Sequence, residues 1–372
     1  MDRAGPKVLH VSQPISEGVA RYVDDAVRDQ RARGWDVALA SPKSPALEAM
    51  CAAVDARHYV WDARRGPGPS VAPEIAALRR IVRDADPDVL HLHSSKAGLV
   101  GRLAVRGRRP TMFTPHAWSF LSGGRVTRRA ALGWERLATR WTNLLVCVSE
   151  AEHRRGETAG VRCRGVVLSN AVDLARFAPA SEQTRLAARR ELGLDAATPV
   201  AVCVGRLAHQ KGQDVLIGCW PAVRARVPDA QLVLAGDGPE RDSLASLATD
   251  GVTFLGALED VRGVYAAADV VVTPSRWEGL SFVVLEALAC GRSVVATDVD
   301  GMHEAIGTGP DAAGAVVATG NASALVEAVV ERLADRTLAR TEGERARLRA
   351  AQFDLRAWGD ALAALTCDVG GC

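Results

Sequence analysis

No run of 18 apolar residues occurs in this 372-residue sequence, and its opening, MDRAGPKVLHVS, lacks the apolar core of a secretory leader. The first absence argues against a membrane-spanning helix and the second against export. The expected location is therefore cytoplasmic, at most the inner face of a membrane. Charge of one sign is also missing. Lys and Arg number 46 against 44 Asp and Glu, a formal net charge of +2, which gives no overall pull toward nucleic acid and does not suit an acidic or disordered chain. None of the eight cysteines forms a CxxC pair. Scattered in apolar contexts such as LLVCVS, they read as thiols of a reducing compartment, without a structural zinc. No repeat of fixed period and no low-complexity tract stands out.

What is present is an ordinary soluble composition, 48% hydrophobic and 24% charged. The length exceeds one ordinary core, so two domains of roughly 150 to 200 residues are expected. Short apolar runs alternate with helical patterns: KVLHVS, WDVALAS, DVLHLHS, TMFTPH and NLLVCVS, then PVAVCVGR, AQLVLAGDG, VTFLG, DVVVTPS and SVVATDV. Buried strands separated by amphipathic helices indicate parallel sheets built from βαβ units. The two series predict an α/β chain of two doubly wound, Rossmann-like domains. The break falls near NAVDLARFAPASEQT, residues 170–183, where Pro, Ser and small residues precede a fresh strand series. The last segment, FDLRAWGDALAALT, reads as an amphipathic helix able to cross back onto the first domain. In open α/β sheets ligands sit at the carboxyl ends of strands, so two facing domains would make a cleft there.

The residues with chemical potential cluster just after strands. In VGRLAHQKGQDVLI, Arg206 and Lys211 lie five apart on a glycine-bearing strand-to-helix loop. That arrangement suits a diphosphate, while two solvated surface charges are the plain alternative. In RWEGLSFVVLEALACG, Glu278 lies in a turn, and Glu286 follows inside an apolar helix that begins around Leu280 to Phe282. The first helical turn favours phosphate. Carboxylates accepting from paired hydroxyls are a recurring mode of sugar and ribose recognition. Taken alone, two glutamates so spaced are common in helices.

GRLAHQKG, LVLAGDGPERDSL, VTFLG, YAAADVVVTPSRWEGLSFVVLEALACG and DVDGMHEAI together resemble the retaining family-4 glycosyltransferases with a GT-B fold (glycosyl transferases group 1). The resemblance covers most of the chain and is most specific in its second half. It implies an acceptor-side domain over residues 1–175, a nucleotide-sugar domain over 176–350, and a helix over 351–372 returning to the first. It implies that Arg206 and Lys211 hold the donor diphosphate, that Glu286 grips the ribose, and that Glu278 contacts the donor hexose. Gly279, Leu280, Ser281, Phe282 and Val283 would offer backbone to the phosphates, and the turn at Gly236 to Pro239 would shape the nucleobase side.

In the first half, DVLHLHSSKAGLVGRLA, residues 88–104, is similar to a segment of polysaccharide and lipid-linked glycan transferases of this group. His116 in TMFTPHAWSF matches a family histidine facing the reacting sugar; without that match, a structural hydrogen bonder is the usual reading. His91 and His93 point the same way on one strand. HxH suits a metal pair, but no third ligand is evident, and a packed or interdomain role is expected. Two features depart from the family pattern. HVSQPISEGVARYV keeps Gly18 for the donor phosphate but has Glu17 where a second glycine is usual, and SNAVDLARF has Ala171 where glycine is usual, which predicts a stiffer hinge. The DxD-like triplets Asp84–Asp86 and Asp298–Asp300 are read as chance, so no metal and no cofactor is expected. Finally, in RVTRRAALGWERLATRW, residues 125–141, Trp134, Leu137, Ala138 and Trp141 share a face among five arginines. That helix either packs on its own domain or makes peripheral membrane contact.

The implied activity is hexosyl transfer from a nucleotide-diphosphate sugar, with UDP the expected nucleotide, to an acceptor hydroxyl with retention. Polysaccharide, lipid-linked glycan and secondary-metabolite synthesis are the expected settings. His116, Glu278, Arg206 and Lys211 would carry the chemistry. A nucleotide-sugar epimerase and a silent nucleotide-sugar-binding protein are the alternatives.

Overall fold

In the computed structural model residues 5–64 and 66–371 are described, Glu17 by its backbone alone, so Cys372 and the first four residues of the opening segment lie outside it. Seven parallel strands make the first sheet: β1 (Lys7–Ser12), β2 (Asp36–Ser41), β3 (Arg57–Val60), β4 (Val89–His93), β5 (Thr111–Thr114), β6 (Leu144–Cys147) and β7 (Gly165–Val167). Six make the second: β8 (Val200–Val204), β9 (Gln231–Ala235), β10 (Val252–Gly256), β11 (Val270–Thr273), β12 (Ser293–Thr297) and β13 (Gly314–Val317). Their orders are β3-β2-β1-β4-β5-β6-β7 and β10-β9-β8-β11-β12-β13. Inner strands such as β8 (VAVCV) and β11 (VVVT) are buried along their whole length, because helices cover both faces of a parallel sheet. Strand order reverses between β1 and β4 in one sheet and between β8 and β11 in the other. In open α/β sheets such switch points are where ligand crevices form, at the strands' carboxyl ends.

The chain divides into two compact units, one reaching Asn170 and resuming at Arg356, the other Ala171–Leu355. The divide falls a few residues from the expected 175 and 350 for a local reason. Val172 N–H donates to Phe353 O (2.8 Å) and Leu355 N–H to Val172 O (3.2 Å), tying both connecting segments into the second unit. The helix Leu355–Gly370 belongs to the first unit. Trp358 meets Tyr22 edge-on at 4.9 Å, Ala363 joins the cluster of Val8, Val23 and Trp35, and Arg33 pairs with Asp360 at 2.7 Å.

The basic aromatic helix spans Arg125–Ala138. Ala131 and Leu132 pack on the first core and Ala138 is buried, whereas Leu137, expected on that face, is exposed. Glu135 takes an inward place because the buried Arg102 guanidinium needs a counter-charge, 2.7 Å away. Six of the cysteines are free thiols; Cys367 is disulfide-bonded, which departs from the expectation of thiols throughout.

Candidate functional site: two stapled loops at the second switch point

The loops after β8 and β11 emerge side by side because those strands are neighbours. After β8 the chain runs through Arg206 into a short 3-10 turn, His209–Lys211, and at Gly212 enters the helix Gln213–Arg226. Gly212 has φ +68°, and a Cβ there would lie 2.1 Å from Pro274 O, so the two loops touch backbone to backbone. Side chains staple them. Arg276 grips Asp214 with both guanidinium nitrogens (2.7 and 2.8 Å), and Gln210 Nε2 donates to Trp277 O (3.0 Å). The Arg276 pairing holds the Asp214 carboxyl below its ordinary range, chiefly through the hydrogen bond.

Within this frame Lys211 Nζ lies 2.6 Å from Glu278 Oε1, which also accepts from Ser275 Oγ at 2.8 Å. Glu278 is buried, 8% exposed, and a carboxylate so placed is costly without such a partner. Lys211, Gln213, Thr273, Ser275 and Ser281 line one small cavity. Gln213 Nε2 donates to Arg206 O at 2.8 Å, whereas Gln213 Oε1 and Thr273 Oγ1 are buried with no partner among the described residues. Such groups hold water or a polar ligand at low cost. Gly279 and Leu280 are buried, and Ser281 occupies the N-cap position of the helix Phe282–Ala289 without a side-chain capping bond, Phe282 and Val283 forming the first turn. That turn presents amides and a positive dipole end. Glu286, one turn further, is 6% exposed and accepts from Tyr265 Oη at 2.6 Å. That bond helps a carboxylate to sit among Val284, Leu285 and Ala287.

The Gly236–Pro239 turn follows β9 and is bonded to the loop after β8. Leu207 N–H donates to Asp237 O and Glu240 N–H to Leu207 O, each at 3.0 Å. Gly236 has φ +148°, and a Cβ there would sit 2.0 Å from Gly205 O. Gly236→Ala is therefore expected to cost at least about 1–3 kcal/mol, read as a lowered urea midpoint. An unchanged midpoint would show that the turn tolerates the side chain.

Gly18 and His116 belong to the first unit. Gly18 lies in the first turn of the helix Glu17–Ala32. His116 follows β5 in the left-handed region, φ +53°, as does Ala117 at +84°. His116 Nε2 lies 3.3 Å from His93 Nδ1, and burial holds the ring neutral, pushed down to about 3. The expectation that His91 and His93 have no third companion is corrected. Parallel pairing of β1 with β4 sets His10 beside His91, a juxtaposition that local sequence cannot display. Burial lowers His10 to about 4, partly offset by its bond to Gln30, and drives His91 and His93 well below their ordinary value. Lys96 of the SSKAG segment is buried in a 2.8 Å pair with Glu74, and so is structural. Of the DxD-like residues, Asp84 pairs with Arg57 at 3.0 Å, Asp86 with Arg109, and Asp298 with His303 at 3.3 Å.

The sequence reading did not single out Asp214, Ser275, Arg276 or Tyr265. Arg276 was visible beside Glu278, but its partner lies 62 positions away.

A family model described as Glycosyltransferase Family 4 matches residues 16–176, and one described as Glycosyl transferases group 1 matches 198–335. The chain is 34% identical to a GDP-mannose-dependent monoacylated alpha-(1-6)-phosphatidylinositol monomannoside mannosyltransferase of Corynebacterium glutamicum, over 70% of each chain. It is 30% identical to a UDP-Gal:alpha-D-GlcNAc-diphosphoundecaprenol alpha-1,3-galactosyltransferase of Escherichia coli, over 61% of this chain and 62% of that one. Anabaena HepE, solved with UDP-glucose, shares the fold at a TM-score of 0.82 and 24% identity, covering 97% of this chain and 99% of that one. The chain belongs to the family-4 glycosyltransferases, glycosyl transferases group 1, and is an enzyme of the GT-B fold.

Proposed function

We propose that the enzyme moves a hexosyl group from a nucleoside-diphosphate sugar to an acceptor hydroxyl with retention of anomeric configuration, the donor lying on the second unit at the β8/β11 switch point. The observation that carries this reading is the Lys211–Glu278 pair, set between two stapled loops just before the helix that carries Glu286. Arg206, Lys211 and the first-turn amides of the helix Phe282–Ala289 offset the charge that develops on the leaving diphosphate. No divalent ion has to bridge the phosphates, so adding Mg2+ or Mn2+ leaves the rate unchanged. Glu278 takes both its bonds on Oε1 and offers Oε2 to a hexose hydroxyl, while Tyr265 orients Glu286 toward the ribose. Retention by front-face attack needs no enzyme nucleophile. The leaving phosphate accepts the acceptor's proton.

The acceptor is placed at a membrane surface. Both relatives above are named for lipid-linked acceptors. Arg125, Val126, Arg128 and Arg129 are exposed at the start of their helix, and no described helix is long and apolar enough to cross a bilayer. Peripheral attachment at the cytoplasmic face would meet both facts.

The test is a thermal-shift screen of UDP- and GDP-hexoses, in which a ligand at 100 times its Kd adds about 2.7 kcal/mol. Transfer to lipid-linked and water-soluble acceptors follows, with NMR of the product's anomeric configuration. UDP is the expected nucleotide, and a shift confined to GDP-sugars would reassign it. No shift with any nucleotide sugar, or an inverted product, overturns the reading. An epimerase would instead convert donor with no acceptor present. Glu286→Gln is expected to weaken nucleotide binding about 10- to 100-fold, the equivalent of one or two charge-assisted hydrogen bonds. Calorimetric titration checks it, and an unchanged Kd would remove Glu286 from the ribose.

A further inference from the structure

The first sheet has a switch point of its own, between β1 and β4, and three histidines fill it. His10 stands opposite His91 and Ser12 opposite His93 in the parallel register. All three imidazoles are 0% exposed, and one ring nitrogen from each lies within 4.8 Å of the others. Their remaining nitrogens are already engaged. His10 Nε2 meets Gln30 Oε1 at 2.9 Å, His91 Nε2 meets Thr114 Oγ1 at 2.9 Å, and His93 Nδ1 meets His116 Nε2 at 3.3 Å. His10 Nδ1 and His93 Nε2 are 3.0 Å apart, and His91 Nδ1 is buried with no hydrogen-bond partner among the described residues.

We propose that His10, His91 and His93 bind one divalent transition ion of the zinc class. Three arguments carry this. Metal-bound histidines characteristically hand their second nitrogen to a hydrogen-bonding partner that fixes the tautomer, and here Gln30, Thr114 and His116 occupy those places. Two nitrogens bound at about 2.0–2.1 Å in a tetrahedron stand roughly 3.3 Å apart, so the His10–His93 spacing must open by only a few tenths of an ångström. The third argument is the orphan nitrogen of His91, which a metal would satisfy and which otherwise costs free energy in a dry site. An all-imidazole set with no carboxylate selects Zn2+, Co2+, Ni2+ or Cu2+ over Mg2+ and Ca2+. Three protein ligands leave a fourth position for a solvent oxygen, whose ionisation lowers the charge of the buried centre. With the ion on His93 Nε2, the Nδ1–H donates to His116 Nε2, so His116 carries its own proton on Nδ1. The three histidines belong to the first unit, and the proposal does not rest on how the donor loops are read.

The experiment uses the full chain without a histidine tag. Elemental analysis after loading with Zn2+ and desalting is expected to find one equivalent per chain, and Co2+ loading to give the visible bands of a tetrahedral centre. His91→Gln should abolish retention, and Gln30→Leu should weaken it about 10- to 100-fold. Thermal unfolding in chelator verifies that each variant folds. The wild-type readouts stand without the variants: no metal retained and no tetrahedral Co2+ spectrum overturns the proposal. So does zinc retained equally by a folded His91→Gln chain.

Discussion

Replacing Lys211 by alanine is expected to lower kcat about 100- to 1000-fold, the roughly 2.7–4 kcal/mol that one preorganised donor to a developing anion supplies. The KM for acceptor should hardly move, and Arg206→Ala should act in the same direction. The 2.6 Å contact with buried Glu278 raises a second explanation, that the lysine merely neutralises a carboxylate. Lys211→Ala in a Glu278→Gln background separates the two. A lysine that only neutralises becomes dispensable there, and turnover returns to that of Glu278→Gln alone. A lysine that carries diphosphate charge leaves the double variant as slow as the single one. Steady-state rates with saturating donor decide, and near-normal turnover in Lys211→Ala would contradict the assignment.

The largest effect on stability is expected from Glu135→Ala. Arg102 and Glu135 are 2% and 1% exposed and 2.7 Å apart. Arg102 also donates to Gly98 O at 2.7 Å and lies 4.0 Å above the Phe113 ring. Removing the carboxylate leaves a guanidinium in a dry core, which costs about 3–5 kcal/mol. For a unit of this size that lowers Tm by roughly 6–20 °C. Arg102→Leu combined with Glu135→Leu should recover most of the loss, since a buried pair is about break-even against apolar side chains of similar volume. Calorimetry reads both. A single-variant loss below about 1 kcal/mol would mean that water reaches the site.

Inner strands were legible because burial on both faces writes an uninterrupted apolar run, as in VAVCV and LLVC. The strands that escaped notice are β3, β7 and β13, all at sheet edges. β3 reads RHYV and is half exposed, and β7 has only three residues; an edge exposes part of its surface and so loses the signal. The donor-side residues were legible where chemistry and turn coincide, as at Lys211 and Glu278. Their partners were not. Asp214 to Arg276, Tyr265 to Glu286 and His10 to His91 are contacts made by sheet order, and parallel neighbours lie at least a whole crossover apart in sequence. The exposed Leu137 shows the same limit from the other side. Helical periodicity places it inward, but the buried face includes Glu135, two positions earlier, as the counter-ion of one buried arginine, and Leu137 is left exposed.

The return of Leu355–Gly370 to the first unit has a consequence for biogenesis. On the ribosome the second unit, an uninterrupted segment, can close while the first still lacks its final helix. Until Trp358 reaches Tyr22 and Ala363 reaches Val8, Val23 and Trp35, that earlier surface stays wet. The usual order, in which the N-terminal body is finished first during translation, is thereby inverted. A chain truncated after residue 355 would present a completed second unit joined to an unfinished first, the species that chaperones would meet.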